Sequence, residues 1–142
     1  HGGDIGAGIA AAAGWIAANL PVSSLNAVVI APGELWALRY PDQHALHILQ
    51  RPPDTGTDRP GAENPGLHVR SATSSVHVPA LEDAASVVVA SERLDGEDGW
   101  RMLASGELVH VRPDLSVISE VVLPRPPARL VPLPASNPNI DT

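Results

Sequence analysis

The sequence predicts a sheet-rich α+β fold with one principal helix and at least six strands. Three observations carry this expectation. Only one segment, residues 5 to 19, repeats its apolar residues at helical spacing. From Asn26 onward the period changes to two, and the apolar runs are separated by Pro, Gly and Asp, the residues that make turns. Several of those runs are apolar on both faces, as strands are when other layers cover a sheet on both sides. The 142 residues suffice for one domain of ordinary size.

The helix is marked by Ile5, Ile9, Ala12, Ile16 and Leu20, with Asp4 placed to cap its start and Pro21 to stop it. Gly6, Gly8 and Gly14 each lower helix propensity by about 1 kcal/mol relative to Ala, so the helix must depend on close packing. Asn26 to Ala31 (NAVVIA) and Glu34 to Tyr40 (ELWALRY) flank Pro32-Gly33, a turn pair, and His44 to Gln50 (HALHILQ) follows Pro41-Asp42. Residues 52 to 66 hold four Pro and three Gly without apolar periodicity and read as a long surface loop. Leu67 to Ser71 reads as a short strand and Leu81 to Ala84 as a single turn. A second group of strands follows at Ser86 to Ala90, Glu107 to Val111 and Ser116 to Leu123, the last two joined by Arg112-Pro113-Asp114. Beyond Leu123 six Pro in nineteen residues exclude a central strand and predict an extended arm or frayed tail. The organisation expected is therefore a domain over residues 1–123 and a proline-rich tail over 124–142, with the 52–66 loop and the tail the least protected parts.

Within Glu34 to Tyr40, Trp36, Leu38 and Tyr40 point one way and Leu35 and Ala37 the other. Val87, Val88 and Val89 are likewise apolar without alternation. One Ala-rich helix, in a chain without Phe, is too little to cover such strands. The missing layers are expected from another segment or subunit, and the chain alone is expected to be poorly stable. A first residue His1 and a single Met at Met102 agree with a portion of something longer.

Composition narrows the function classes. Nine basic residues, all Arg, against sixteen acidic ones give a net charge of −7, which repels nucleic-acid phosphates and anionic lipid. No nucleic-acid or membrane partner is expected. The apolar run from Ile5 to Leu20 is shorter than the roughly 20 residues of a membrane span and lacks a preceding basic region, so a cytoplasmic location is expected. The absence of Cys removes disulfides, thiolate metal sites and any cysteine nucleophile carried by these residues.

From Val87 the sequence reads VVVASERLDGEDGWRMLASGELVHV: a strand closing on Ala90-Ser91-Glu92, an acidic spacer, a Trp, and the turn Ser105-Gly106-Glu107 into another strand. With the upstream SLNAVVIAPGELWALRYPD, this resembles the class II glutamine amidotransferases. These are N-terminal-nucleophile hydrolases in which an Ala-Ser-Glu or Ala-Ser-Asp strand is followed by a Pro-Gly-Glu-like turn. The smaller stand-alone members, including the amidohydrolase type of ergothioneine biosynthesis, are the most similar, and Arg39 fits the Arg they place at the end of the second strand. The resemblance spans about residues 5 to 123 and implies the C-terminal portion of a four-layer αββα sandwich. It implies attack on a γ-glutamyl amide by an N-terminal Cys thiolate, with its own α-amine as base and an oxyanion site for the intermediate. That Cys, the Asn-Gly oxyanion motif and the glutamate-binding Arg and Asp belong to the first half of the family's domain, and none is matched here. The partners implied are that missing half and a small γ-glutamyl substrate, with no cofactor.

Asn26, Arg39, Ser91 and Glu92 are the candidate substrate-binding residues. Arg39 has the planar fork that suits a carboxylate, although an Arg at a strand end also serves in structural ion pairs. Ser91 and Glu92 end a buried strand, where a solvated turn is the plain alternative. No metal site is expected. His44 and His47 stand three apart on one strand and so point to opposite faces, His68 and His77 are separated by a turn region, and His110 lies in another strand. Ser91 lacks the G-x-S-x-G elbow, and Gly6-x-Gly8 has no strand before it, so neither a serine hydrolase nor a dinucleotide fold is supported. Asp95, Glu97 and Asp98 read as a solvated acidic loop. No residue of the chain is expected to be catalytic, and the chain alone is expected to be inactive. The alternative is a non-catalytic interaction module whose 52–66 loop and tail contact a partner protein.

Overall fold

Asp4 caps helix α1 (Ile5–Asn19) by accepting a hydrogen bond from the Ala7 N–H at 3.0 Å. The helix ends one residue before Leu20, which takes an extended conformation ahead of Pro21 while its N–H still reaches the Ile16 carbonyl. The structure is a computed structural model that describes residues 3–52, 67–70, 75–78, 84–94, 96 and 99–133. The loop expected at 52–66 lies outside the described residues beyond Pro52, as do most of the 81–84 turn, the three acidic positions 95, 97 and 98, and the tail beyond Leu133.

Eleven strands follow the helix among the described residues: β1 (Pro21–Val22), β2 (Ala27–Ala31), β3 (Glu34–Arg39), β4 (His47–Arg51), β5 (Leu67–Arg70), β6 (Ser75–Val78), β7 (Ser86–Ala90), β8 (Arg101–Met102), β9 (Glu107–Val111), β10 (Val117–Val121) and β11 (Arg129–Leu130). The fold is α+β, with one helix among these residues. A four-stranded antiparallel sheet has the order β10-β9-β3-β2 and a three-stranded one the order β7-β4-β8. Strands β5 and β6 form a hairpin, and β1 pairs with β11 in parallel. The β2–β3 hairpin turns at Pro32-Gly33, where Gly33 supplies the positive φ of 76° that its turn requires.

The two faces of β3 go to two cores. Trp36, Leu38 and Tyr40 join Leu108 under Ala13 and Ala17 of α1. Ala37 and Val109 turn the other way and meet Leu46 and Ile48, with Leu103 and the flanks of Val87 and Val89. Helix, four-stranded sheet and three-stranded sheet are thus stacked in that order, and small Ala side chains let the helix sit close above the bulky strand residues. This revises the expectation about cover: much of it comes from within the chain, because the second sheet closes the face that the helix does not reach.

One element differs from the sequence reading, and another takes one of the two forms that reading allowed. Strand β4 begins at His47, not His44, because the carbonyls of His44 and Ala45 are taken by side chains and are lost to a ladder. His44 is therefore a loop residue. The first ten residues after Leu123 form an arm laid along the body: the Ala128 N–H donates to Ala17 O, the Val131 N–H to Val22 O, and the Tyr40 hydroxyl to Arg125 O.

Gly106 is where β3, β9 and the start of this arm meet. Its N–H donates to Arg39 O at 2.7 Å and its carbonyl accepts from Val122 and Leu123. Its φ is +77°, and a Cβ there would fall 2.0 Å from the Leu123 carbonyl oxygen, so only glycine fits.

Candidate functional site

Arg39 ends β3 with its side chain 6% exposed, and three of its nitrogens are engaged. Nε donates to His44 O at 2.8 Å and one terminal nitrogen to Leu103 O at 2.9 Å, while the other pairs with Asp42. Asn26 closes the same loop from the other side. Its amide donates to Ala45 O at 3.0 Å and its Oδ1 accepts from the Tyr40 N–H at 3.2 Å. The structure thus brings two of the expected residues together, as a clasp that shapes residues 40–46. A planar, permanently charged fork is what satisfies two carbonyls and a carboxylate at once.

Glu107 lies directly across from Arg39 in the β3–β9 pairing, on the face toward the second sheet. Its Oε2 accepts from the Ala104 N–H at 2.6 Å and from Arg101 at 3.0 Å, and its Oε1 from the Ser119 hydroxyl at 2.5 Å and from Arg101 at 2.8 Å. Burial alone would raise this carboxyl. The hydrogen bonds from Arg101, Ser119 and Ala104, with the Arg101 charge, outweigh that and hold it below the ordinary glutamate value. In the sequence Glu107 stands only as the last residue of a turn and the first of a strand. Its burial follows from a register that brings β10 and β8 to it, which spacing along the chain does not reveal.

Ser91 and Glu92 are exposed, just past the end of β7, where Ala90 pairs with His47. Neither is drawn into the Arg39 clasp by any described hydrogen bond. They are the two expected residues whose side chains face solvent.

A groove of about 380 Å³ runs under the first turns of α1, lined by Asp4, Trp36, Leu108, His110, Ile118 and Glu120 among others. His110 stacks on Trp36 with ring centroids 4.5 Å apart and planes 10° from parallel, and its Nε2 lies 2.9 Å from Glu34 Oε1. The groove lining holds no hydroxyl or thiol to act as nucleophile. Glu34 and His110 stand far apart in the sequence and meet only through the β3–β9 register.

Among the described residues no three His, Asp or Glu side chains are grouped to hold a metal ion, and no helix is long and apolar enough to cross a membrane. No family model matches the chain, and neither a curated protein nor a solved structure matches it.

Proposed function

We propose that the chain is the scaffold half of a class II glutamine amidotransferase-like hydrolase, which cleaves a γ-glutamyl amide through an N-terminal Cys lying outside these residues. The observation that carries the reading is the stacking of helix, sheet and sheet, with the strand of the Ala-Ser-Glu motif (β7) in one sheet and that of the Ser-Gly-Glu turn (β9) in the other. In an αββα sandwich a further helical layer lies against the second sheet, and the missing half of the domain supplies it. Asn26, Arg39, Ser91 and Glu92 are the substrate-proximal set in this reading. Ser91 and Glu92 offer exposed polar groups, while Arg39 and Asn26 position the 40–46 loop. The thiolate nucleophile goes with a reducing, cytoplasmic location.

Glutamate release from glutamine and from γ-glutamyl amides tests the proposal, measured on residues 1–142 alone and with an upstream segment opening Met-Cys joined to them. Release only by the joined protein is expected. Turnover by the 142 residues alone, or none by the joined protein, overturns it. The second reading, an interaction module, is favoured by one observation, the exposed and uncharged β2 strand.

A further inference from the structure

Among the described residues, strand β2 is a free edge of the four-stranded sheet, and its side chains remain in water: Val28 is 47% exposed, Val29 36% and Ile30 77%. Edge strands of this kind are normally blunted by a charge, a proline or a bulge within the strand. The opposite edge follows that rule, since β10 carries Ser119 and Glu120. Strand β2, Ala-Val-Val-Ile-Ala, carries none of these devices. From Ile5 to Gly33 the sequence contains no Asp, Glu, Arg, Lys or His, although charged residues make up 18% of the chain.

That charge pattern decides the occupant. We infer that β2 pairs with itself: two copies of the chain join antiparallel through Ala27–Ala31 about a two-fold axis at Val29, making one sheet continuous across both. The register sets Ala27 against Ala31, Val28 against Ile30 and Val29 against Val29, so every cross-strand pair is apolar and no like charges meet despite the net charge of −7. A chain this acidic repels its own copy over most of its surface, and β2 is where that repulsion is absent. On the helix side the contact extends further. Ala7 and Ala10 line the groove beside Ile118 and Glu120 and Gly14 faces Leu123, all toward β10, so the helical period turns Ile5, Ala12 and Ile16 to the β2 side. The two-fold axis brings these flanks together above the seam. A five-residue strand pair with such flanks falls short of the roughly 1,200 Å² of a standard stable interface, so the dimer is reversible and concentration-dependent. This inference does not rest on the hydrolase reading.

Light scattering and sedimentation of the full 142-residue chain over a range of concentrations test it. The mass is expected to rise from 14.8 kDa toward twice that value. Ile30→Glu sets a carboxylate against Val28 of the other copy at two places and is expected to weaken association at least about tenfold, while Val121→Glu on β10 leaves it unchanged. Because the chain has no Cys, Val29→Cys introduces a single thiol that is expected to cross-link two copies under mild oxidation, whereas Val121→Cys does not. A mass of 14.8 kDa at every concentration, equal weakening by Val121→Glu, or cross-linking of the Val121→Cys protein in place of the Val29→Cys protein, would overturn the inference.

Discussion

The two faces of the four-stranded sheet treat charge in opposite ways. Toward the second sheet, Arg39 and Glu107 are 5% and 4% exposed, and their partners are backbone groups, the Ser119 hydroxyl and the more exposed Asp42 and Arg101. Toward the helix, Glu34 pairs with His110, which lines a groove, and 34% and 26% of the two side chains remain in water. Desolvation makes the difference. A charge taken out of water is tolerable only where its partners are fully supplied, whereas a partly exposed pair remains solvated and contributes little.

The largest effect should come from Arg39→Ala, which takes the Arg39 donors from the His44 and Leu103 carbonyls and is expected to cost about 3 kcal/mol in a denaturant titration. Should Arg39→Ala cost no more than a surface change, the claim that the inner face depends on its buried charges fails. Glu107→Gln keeps the shape but weakens bonds to Arg101, Ser119 and Ala104, for about 2 kcal/mol. Its pH behaviour sharpens the comparison. A carboxyl held lower in the folded than in the unfolded state adds stability fully present above the ordinary glutamate value of 4.5 and lost as pH falls through the folded value. The native protein should therefore lose stability below about pH 4.5, and Glu107→Gln should lose less of it. On the helix side, Asp4→Ala removes the α1 cap for about 1 kcal/mol, read as a lower midpoint. Smallest is His110→Leu, expected to change stability by less than about 1 kcal/mol; a loss as great as that from Arg39→Ala would erase the distinction between the faces.

What the sequence discloses divides along the same line. Helix α1 is legible to the residue because Asp4, the apolar spacing and Pro21 are all local signals. The β2–β3 hairpin is legible too, from Pro32-Gly33 between two apolar runs. The facing of Trp36, Leu38 and Tyr40 away from Ala37 follows from the period of a strand alone. The short strands β1, β6, β8 and β11 are not legible, because pieces so short carry little periodicity and exist through the partners they find, although β5, as short as β6, shows as the run from Leu67 to Ser71. Arg39 and Asn26 stand out in the sequence, but the carbonyls they hold are supplied by a loop whose path the sequence does not state. Glu107, Glu34 and His110 do not stand out as site residues for the same reason, since cross-strand register is a property of the assembled sheet.

The arm beyond Leu123 gives the order of assembly a direction. Tyr40 waits for Arg125, 85 residues downstream, and Gln43 for Val131, 88 residues downstream, while β1 has no strand partner among the described residues until β11 arrives. During synthesis these partners emerge 85 and 88 residues after Tyr40 and Gln43, so the end of α1 and the strand after it wait unsupported over that interval. Contacts of such long span also make for slow closure, because the entropy of bringing distant segments together is lost before any of the contact energy is gained. The end of α1 and β1 therefore stay uncovered until the arm arrives as a late fastening.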